Sequence, residues 1–428
     1  MKAIGIDIGT TSICGVLIDA ESGDVIQTQS LPSDAFISTE HDWEKVQDVS
    51  KIVSIAAVML DSFLKEFPGE ICAIGLTGQM HGILYLNAEG RAVSPLYTWQ
   101  DGRGNLPYKG TTYASYLGCP SGYGNVTDFY NRENRLVPHG ASTYCTVHAY
   151  FGMLLCRNEK PILHASDAAS LGLYDLQTGS FAYEHCNVAV TDKFDIIGTY
   201  KGIPVSVAIG DNQASVLATL GSEDGLLINV GTGSQISIVS DHPITAECLE
   251  CRPYVEGKYL IVGAPLCGGR AFSILKDFYH QLFLAAGCEG IDVYGVMDRM
   301  LKQEEDCTLC VDTRFAGTRQ NPDIRGSIAN IGTENFTPRA LTVGVLRGMA
   351  NELYGIYGAM GEKRKHIVGS GGGIRKNKAL VKIIEQTFGY SLRTPLYTEE
   401  AACGAALFSL VSIHRYSGTA ELRKLIRF

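Results

Sequence analysis

The sequence predicts an α/β protein built from two related lobes that share a cleft, and three observations predict it. The chain opens with a strand–turn–strand pattern: Ala3 to Ile8, then Gly9-Thr10-Thr11-Ser12, then Ile13 to Ile18. The pattern returns at Leu226 to Val230, Gly231-Thr232-Gly233-Ser234 and Gln235 to Val239, with Gly5–Thr10 falling on Leu227–Thr232 at a constant offset of 222 residues. In each half a helical run then leads into another buried strand that ends in a glycine-bearing loop. Repetition of one supersecondary unit at this spacing marks duplicated lobes.

Taken in order, the first hairpin is closed by small residues that suit a tight turn. Glu44 to Phe67 carries Val46, Val49, Val53, Ala56, Leu60, Phe63, Leu64 and Phe67 on one helical face, and Pro68-Gly69 stops it. Ile71 to Leu76 reads as a buried strand running into Thr77-Gly78-Gln79-Met80-His81-Gly82. Residues 104–145, rich in Gly, Tyr, Asn and Pro, read as an irregular insertion. Ile203 to Ile209 is a strand, and Asn212 to Leu220 a helix. In the second half Leu341, Val345, Met349, Leu353, Ile356 and Met360 form a helical stripe leading to His366-Ile367-Val368 and Gly369-Ser370-Gly371-Gly372-Gly373. The natural division is 1–218 and 219–428.

Size and composition bound the function. A chain of 428 residues with 45% hydrophobic and 19% charged residues buries a sizeable core. The formal charge of -9 argues against nucleic-acid binding or an anionic membrane surface. The most apolar stretch, Ile52 to Leu64, is interrupted by Asp61, so no spanning helix is expected. Asp7 and Asp19 lie where a secretion signal needs an apolar run, so a cytoplasmic protein is expected. The C-x-x-C pairs Cys248–Cys251 and Cys307–Cys310 could hold a structural zinc. They lie 55 residues apart and lack knuckle glycines, however, and the second sits in a strand-like run, so the thirteen scattered cysteines read as reduced thiols. A homodimer is compatible with all of this.

The two Gly-Thr loops carry the chemistry. Small residues let backbone N–H groups approach phosphate oxygens, and threonine hydroxyls add donors. No G-x-x-x-x-G-K-[ST] is present, and hairpins follow these loops, so neither a P-loop nor a dinucleotide fingerprint is at hand. Asp7 is a carboxylate inside an apolar strand, and burial is costly unless it is paired or metal-bound. A magnesium ion held near phosphates, partly through water, would satisfy it; capping of the turn is the simpler alternative. Asp211 follows the strand end Gly210 and opens a helix. There it serves either as a helix cap or as the base that accepts a hydroxyl proton in phosphoryl transfer. Gln79, Met80 and His81, with Trp99, Asp101 and Arg103, supply the directional donors, acceptors and flat face that a polyol site needs. Taken singly, His81 would be a structural histidine and Asp101–Arg103 a surface pair.

Eight ordered blocks carry a specific resemblance. They are Gly5-Ile6-Asp7-Ile8-Gly9-Thr10-Thr11-Ser12, Gly78-Gln79-Met80-His81-Gly82, Trp99-Gln100-Asp101-Gly102-Arg103 and Gly210-Asp211-Asn212-Gln213-Ala214. The others are Gly231-Thr232-Gly233, Gly317-Thr318-Arg319 with Pro322, Gly371-Gly372-Gly373 and Glu399-Glu400-Ala401-Ala402-Cys403-Gly404-Ala405-Ala406. From Met1 to about Ser412 the chain resembles the FGGY family of carbohydrate kinases, of the actin–hexokinase superfamily. The resemblance implies two actin/hexokinase-like (ribonuclease H-like) domains with ATP and Mg2+ in the cleft between them. It implies Asp7 as the magnesium-linked carboxylate and Asp211 as the base. It places Gln79, Met80, His81, Trp99, Asp101 and Arg103 on the sugar. Gly9, Thr10, Thr11, Ser12, Gly231, Thr232, Gly371, Gly372, Gly373 and Asn377 would bind the nucleotide.

Within the family, Ser121-Gly122-Tyr123-Gly124, Val147-His148-Ala149-Tyr150 and Met153-Leu154-Leu155-Cys156 are similar to the branch acting on heptuloses such as sedoheptulose. The implied reaction is phosphorylation of a ketose at its terminal hydroxyl. Pentulose and polyol kinases are the alternative within the family. A silent ATP-binding sugar sensor and an actin-like ATPase are alternatives of another class. The chain departs from the family pattern at Ala149, where many relatives carry Asp, and at Thr127–Asn131; both bear on the choice of sugar.

Overall fold

The computed structural model describes residues 1–220, 224–302, 307–319 and 321–428. The chain forms two compact units. The first comprises Met1–Gly221, Arg252–Lys258 and Tyr397–Arg427; the second comprises Ser222–Cys251, Tyr259–Leu396 and Phe428. The C-terminal helix thus joins the first unit, out of sequence order.

In the first unit the strands Lys2–Ile8 and Ser12–Asp19 pair as the expected hairpin, Asp7 opposite Cys14 and Ile8 opposite Ile13. On its other side, Lys2–Ile8 lies parallel to Ile71–Gly78, which sets Gly5 beside Gly75 and Asp7 beside Thr77. The sheet continues through Val25–Pro32 at one edge and through Ile203–Ser206 and Ile196–Tyr200 at the other. Strand alternation sends Ile4, Ile6 and Ile8, all fully buried, to one face. Helix Val49–Glu66 belongs to the same core through Ile52, Ala56, Met59, Leu60 and Phe63. That helix begins later than its apolar stripe suggests. Val46–Gln47 pairs instead with Leu96–Tyr97, and the Asp48 carboxylate caps the helix by accepting from the Lys51 N–H at 3.1 Å.

Alternation also puts Ala3, Gly5 and Asp7 on the opposite face, where helix Glu400–Ser412 lies directly on bare backbone. A Cβ on Gly5 would stand 1.8 Å from the Ala402 carbonyl oxygen, and one on Gly75 would stand 1.8 Å from that of Ala405. Gly404 answers from the helix side: its Cβ would stand 1.8 Å from the Ala214 oxygen of helix Asp211–Thr219. Only glycine permits such an approach.

The second unit repeats the plan. Strands Gly225–Val230 and Ser234–Ser240 form a hairpin, with Val230 opposite Ser234, and His366–Ser370 runs parallel to the first of them, with Ser370 beside Asn229. Helix Pro338–Ala359, capped by the Thr337 hydroxyl, packs Leu346, Met349, Ala350 and Leu353 into the core. Both units therefore carry the mixed sheet with hairpin and parallel neighbour that the repeat predicts.

The 104–145 region is more regular than its composition suggests. It contains helices Tyr113–Leu117 and Gly124–Glu133. Tyr108 stacks on Tyr113 and Tyr116 on Phe129, the two pairs meeting edge-on, and buried Asp128 accepts hydrogen bonds from Tyr85 and Tyr183 at 2.7 and 2.8 Å. Aromatic stacking and a satisfied buried carboxylate supply the order that helical apolar periodicity does not.

The glycine contacts predict that Gly75→Ala lowers stability by roughly 1–3 kcal/mol or more, because backbone rather than a side chain must yield. Gly355→Ala, at a helical site with nothing within 4 Å of the new methyl, should be neutral or mildly stabilising. Guanidinium unfolding of the two variants beside the wild type checks both; equal loss would contradict the packing account.

Candidate functional site

Three parallel strand ends converge in the first unit. Lys2–Ile8 and Ile209–Gly210 flank Ile71–Gly78, so that Asp7 and Ile209 both lie beside Thr77. The Thr77 hydroxyl ties the group together by donating to the Ile209 carbonyl at 2.7 Å. Gly210 then ends its strand and caps the helix that Asp211 begins. This is the place where open α/β sheets put their ligands.

Both carboxylates are partly buried and both are perturbed. Asp7 Oδ1 is enclosed and has no hydrogen-bond partner among the described residues. Burial, then the charge of Asp211, push the Asp7 pKa up to about 7, with the nearby His148 working the other way. Burial raises Asp211 to about 6, opposed by His148, by a backbone N–H of Asn212 and by Arg252. Enclosed, unsatisfied and hard to ionise, Asp7 fits a site completed by a cation.

The residues expected on the sugar fall into two groups. Thr10 links the hairpin loop to the first: its hydroxyl donates to Gln79 Oε1 at 3.2 Å and accepts from the Trp99 indole N–H at 3.0 Å. Gln79 gives its amide N–H to Gln47 at 2.9 Å, and Met80 packs behind Gly210. His81 adopts a left-handed φ of 74°, uncommon outside glycine. It is held there by its N–H on Ser170 Oγ at 3.1 Å, its Nδ1 at 2.8 Å from the Ser170 carbonyl, and its ring stacked on Tyr123. A strained, held conformation of this kind is characteristic of functional sites. Trp99 is 47% exposed.

Asp101 and Arg103 form the second group, and both are buried. Arg103 Nε and Nη2 donate to the two Asp101 oxygens at 2.6 and 3.1 Å, and Nη1 donates to Asn131 at 2.5 Å. The guanidinium also lies over the Tyr97 ring. These polar atoms are spent on one another, so the pair acts as an internal clamp for the Trp99 loop.

Two further groups were not singled out by sequence reasoning. His148 and Asp167 are both fully buried, with His148 Nε2 at 2.9 Å from Asp167 Oδ2. They come from different helices, and although His148 lies in the Val147–Tyr150 segment that carries part of the resemblance, nothing in the sequence joins it to Asp167.

In the second unit the Gly231-Thr232-Gly233 turn is exposed. Gly268 and Gly269 let a helix start approach it: their Cβ atoms would stand 2.2 Å from the Gly233 carbonyl carbon and 2.1 Å from the Gly231 oxygen. The Arg270 N–H binds the Thr232 carbonyl at 2.8 Å. Gly371, at φ +83°, abuts the Val230 carbonyl, while Gly372 meets nothing within 4 Å. Asn377 caps the next helix through its oxygen, which accepts from the Leu380 N–H at 2.9 Å. It also lines a cavity of about 850 Å³ with Lys302, Arg347, Lys376 and Lys378. Gly231, Thr232 and Gly371–Gly373 thus follow the two strands of one parallel pair, with Asn377 at the far end of the short helix Gly371–Lys376.

Comparison with known proteins gives this arrangement its class. The model for the N-terminal domain of the FGGY family of carbohydrate kinases matches residues 2–106, and that for the C-terminal domain matches residues 226–413. The chain belongs to the FGGY family of carbohydrate kinases, with the two-domain actin/hexokinase-like fold of that family. It is similar to sedoheptulokinase of Mus musculus, 28% identical with 95% of this chain and 97% of that protein covered, and to sedoheptulokinase of Homo sapiens, 26% identical with the same coverage. Among solved structures, a ligand-bound xylulose kinase from Lactobacillus acidophilus shares the fold at TM-score 0.83 and 16% identity, over 100% of this chain and 92% of that one.

The raised pKa of Asp7 has a definite consequence for stability. A carboxyl that ionises near 3.8 when unfolded and near 7 when folded favours the native state at low pH, and that stabilisation is lost as pH rises through the folded value. Asp7→Asn should therefore be more stable than the wild type in metal-free buffer at about pH 8, by roughly 1–4 kcal/mol, with little difference at about pH 4. Denaturant unfolding across that range in the presence of a chelator checks this; a variant no more stable at the alkaline end would contradict it.

Proposed function

We propose that this carbohydrate kinase transfers the γ-phosphoryl group of ATP to the terminal primary hydroxyl of a ketose, sedoheptulose foremost, giving sedoheptulose 7-phosphate. Asp211 is the base in this reading, and the observation that carries it is the placing of Asp7 and Asp211 at the ends of two strands flanking a third. A carboxylate with a pKa near 6 is ionised at neutral pH yet remains a competent proton acceptor. It takes the hydroxyl proton as the sugar oxygen attacks in line.

Asp7 is the residue that would hold Mg2+, partly through water. The ion, when bound, neutralises phosphate charge. In the first unit the Gly9–Ser12 turn offers backbone N–H groups and hydroxyls to phosphate. In the second, Gly231, Thr232 and Gly371–Gly373 do the same, and the basic cavity beside Asn377 suits the nucleotide's charge. Trp99 and the held His81 face the sugar, Gln79 and Met80 back that surface, and Asp101 with Arg103 keeps it ordered. The heptulose assignment rests on the sedoheptulokinase relatives, which match over almost their full length.

Two outcomes are expected. Asp211→Asn should lose turnover by roughly 10²–10⁴-fold while still binding nucleotide, and wild-type kcat/KM should fall as pH drops through about 6. Coupled ADP-release assays across heptuloses, pentuloses and polyols should give the highest kcat/KM with sedoheptulose. A pentulose preference would redirect the substrate assignment, and ADP release independent of any sugar would remove the kinase reading.

A further inference from the structure

The proton transfer described above leaves unused the buried pair His148 and Asp167. The imidazole sits on helix Val147–Cys156 and the carboxylate on the turn Ala165–Ala168. His148 Nε2 lies 2.9 Å from Asp167 Oδ2, and the Thr146 hydroxyl donates to that same oxygen at 2.5 Å. The far side of the ring is different. His148 Nδ1 is enclosed and has no hydrogen-bond partner among the described residues. A Cβ on Gly78 would stand 2.9 Å from it. Gly78 pairs with Ile8 on one side and Gly210 on the other, so the unpartnered nitrogen reaches the strand end between Asp7 and Asp211. The absent side chain at position 78 is what makes room for the ring.

An ion pair buried this deeply is expensive, and an unsatisfied ring nitrogen adds to the cost. Such a group is retained where its free edge has something to hold. We propose that Asp167 and His148 form a positioning pair for the base, with Asp167 fixing the ring through Nε2 and the Nδ1 edge holding the Asp211 carboxylate ready for the sugar proton. This rests on the reading of Asp211 as the base.

The charges around the pair agree. Burial opposes a proton on His148, but Asp167, then Asp211 and Asp7, outweigh it and raise its pKa. His148 is in turn the strongest influence opposing the burial of Asp211, ahead of Arg252, while Asp167 acts the other way. Glu399 is the remaining charge facing Asp7. The charge of the His148 ring, facing Asp167, Asp211 and Asp7, works against the burial that raises Asp211.

The test is the pH profile of kcat with saturating sedoheptulose and MgATP for wild type, His148→Gln, Asp167→Asn and the double variant, each checked for folding by thermal unfolding. His148→Gln should move the acid limb up by roughly 1–2 pH units and lower kcat near neutrality by about 10-fold, with KM for ATP within about 2-fold of wild type. Asp167→Asn keeps the shape and the Thr146 contact, and should shift the limb in the same direction. The double variant should be no worse than His148→Gln, because both changes remove one device. A folded His148→Gln with the wild-type limb and kcat overturns the proposal; if it does not fold, Asp167→Asn is held to the same criterion. An inactive Asp211→Asn beside a normal His148→Gln would refute the positioning pair alone, whereas an active Asp211→Asn would refute the base and the pair together.

Discussion

The bare face of the first sheet, where helix Glu400–Ser412 rests on glycine backbone, is the constraint on which the candidate site depends. Gly5 and Gly75 are neighbours in the sheet register, and the helix carbonyls of Ala402 and Ala405 lie where their side chains would be. Gly404 lets the same helix touch Ala214 of the helix that Asp211 begins. One element therefore fixes two parallel strands and the start of that helix. Asp7 and Asp211 sit only a few residues beyond those contacts, so the packing that locks the backbone also sets where the carboxylates stand. Protein interiors transmit displacement because they are close-packed, and here the transmission path is a few residues long.

That rigidity permits an arrangement electrostatics alone would disperse. Two carboxylates near one strand end repel each other, and burial penalises both; each is pushed toward the neutral form. A flexible site would relax by turning one side chain to solvent. In a locked one the strain has to be met by opposite charge, and the charges that act this way are those of the buried His148 and of Arg252. The sheet supplies position, and the charges supply the protonation state that phosphoryl transfer needs.

Much of this was legible in the sequence because it depends on local pattern. The hairpins, their recurrence at a fixed offset, and the strand ends bearing Asp7 and Asp211 follow from alternation, glycine turns and short range. The start of helix Val49–Glu66 was not, since Val46 continues its apolar stripe and only pairing of Val46–Gln47 with Leu96–Tyr97 turns that residue into a strand. The order in 104–145 was hidden because it comes from stacked tyrosines and from Asp128 bonded to Tyr85 and Tyr183, contacts between residues far apart in the chain. Asp101 and Arg103 read as a surface pair or as sugar ligands; their bidentate closure on each other depends on burial, which spacing of two residues cannot report.

His148 and Asp167 show why buried charge is the hardest feature to read from one sequence. Neither interrupts a pattern: one lies in an apolar helix, the other among alanines and serines where a polar residue is ordinary. Their meaning arises only when the chain brings them to 2.9 Å and leaves the opposite ring edge against a strand that has no side chain there. Had position 78 carried even a methyl group, that edge would have been covered and the pair would reduce to a structural ion pair. The glycine that ends the strand before Gln79-Met80-His81 thus leaves, at the end of the sheet, the space against which the unpartnered ring edge lies.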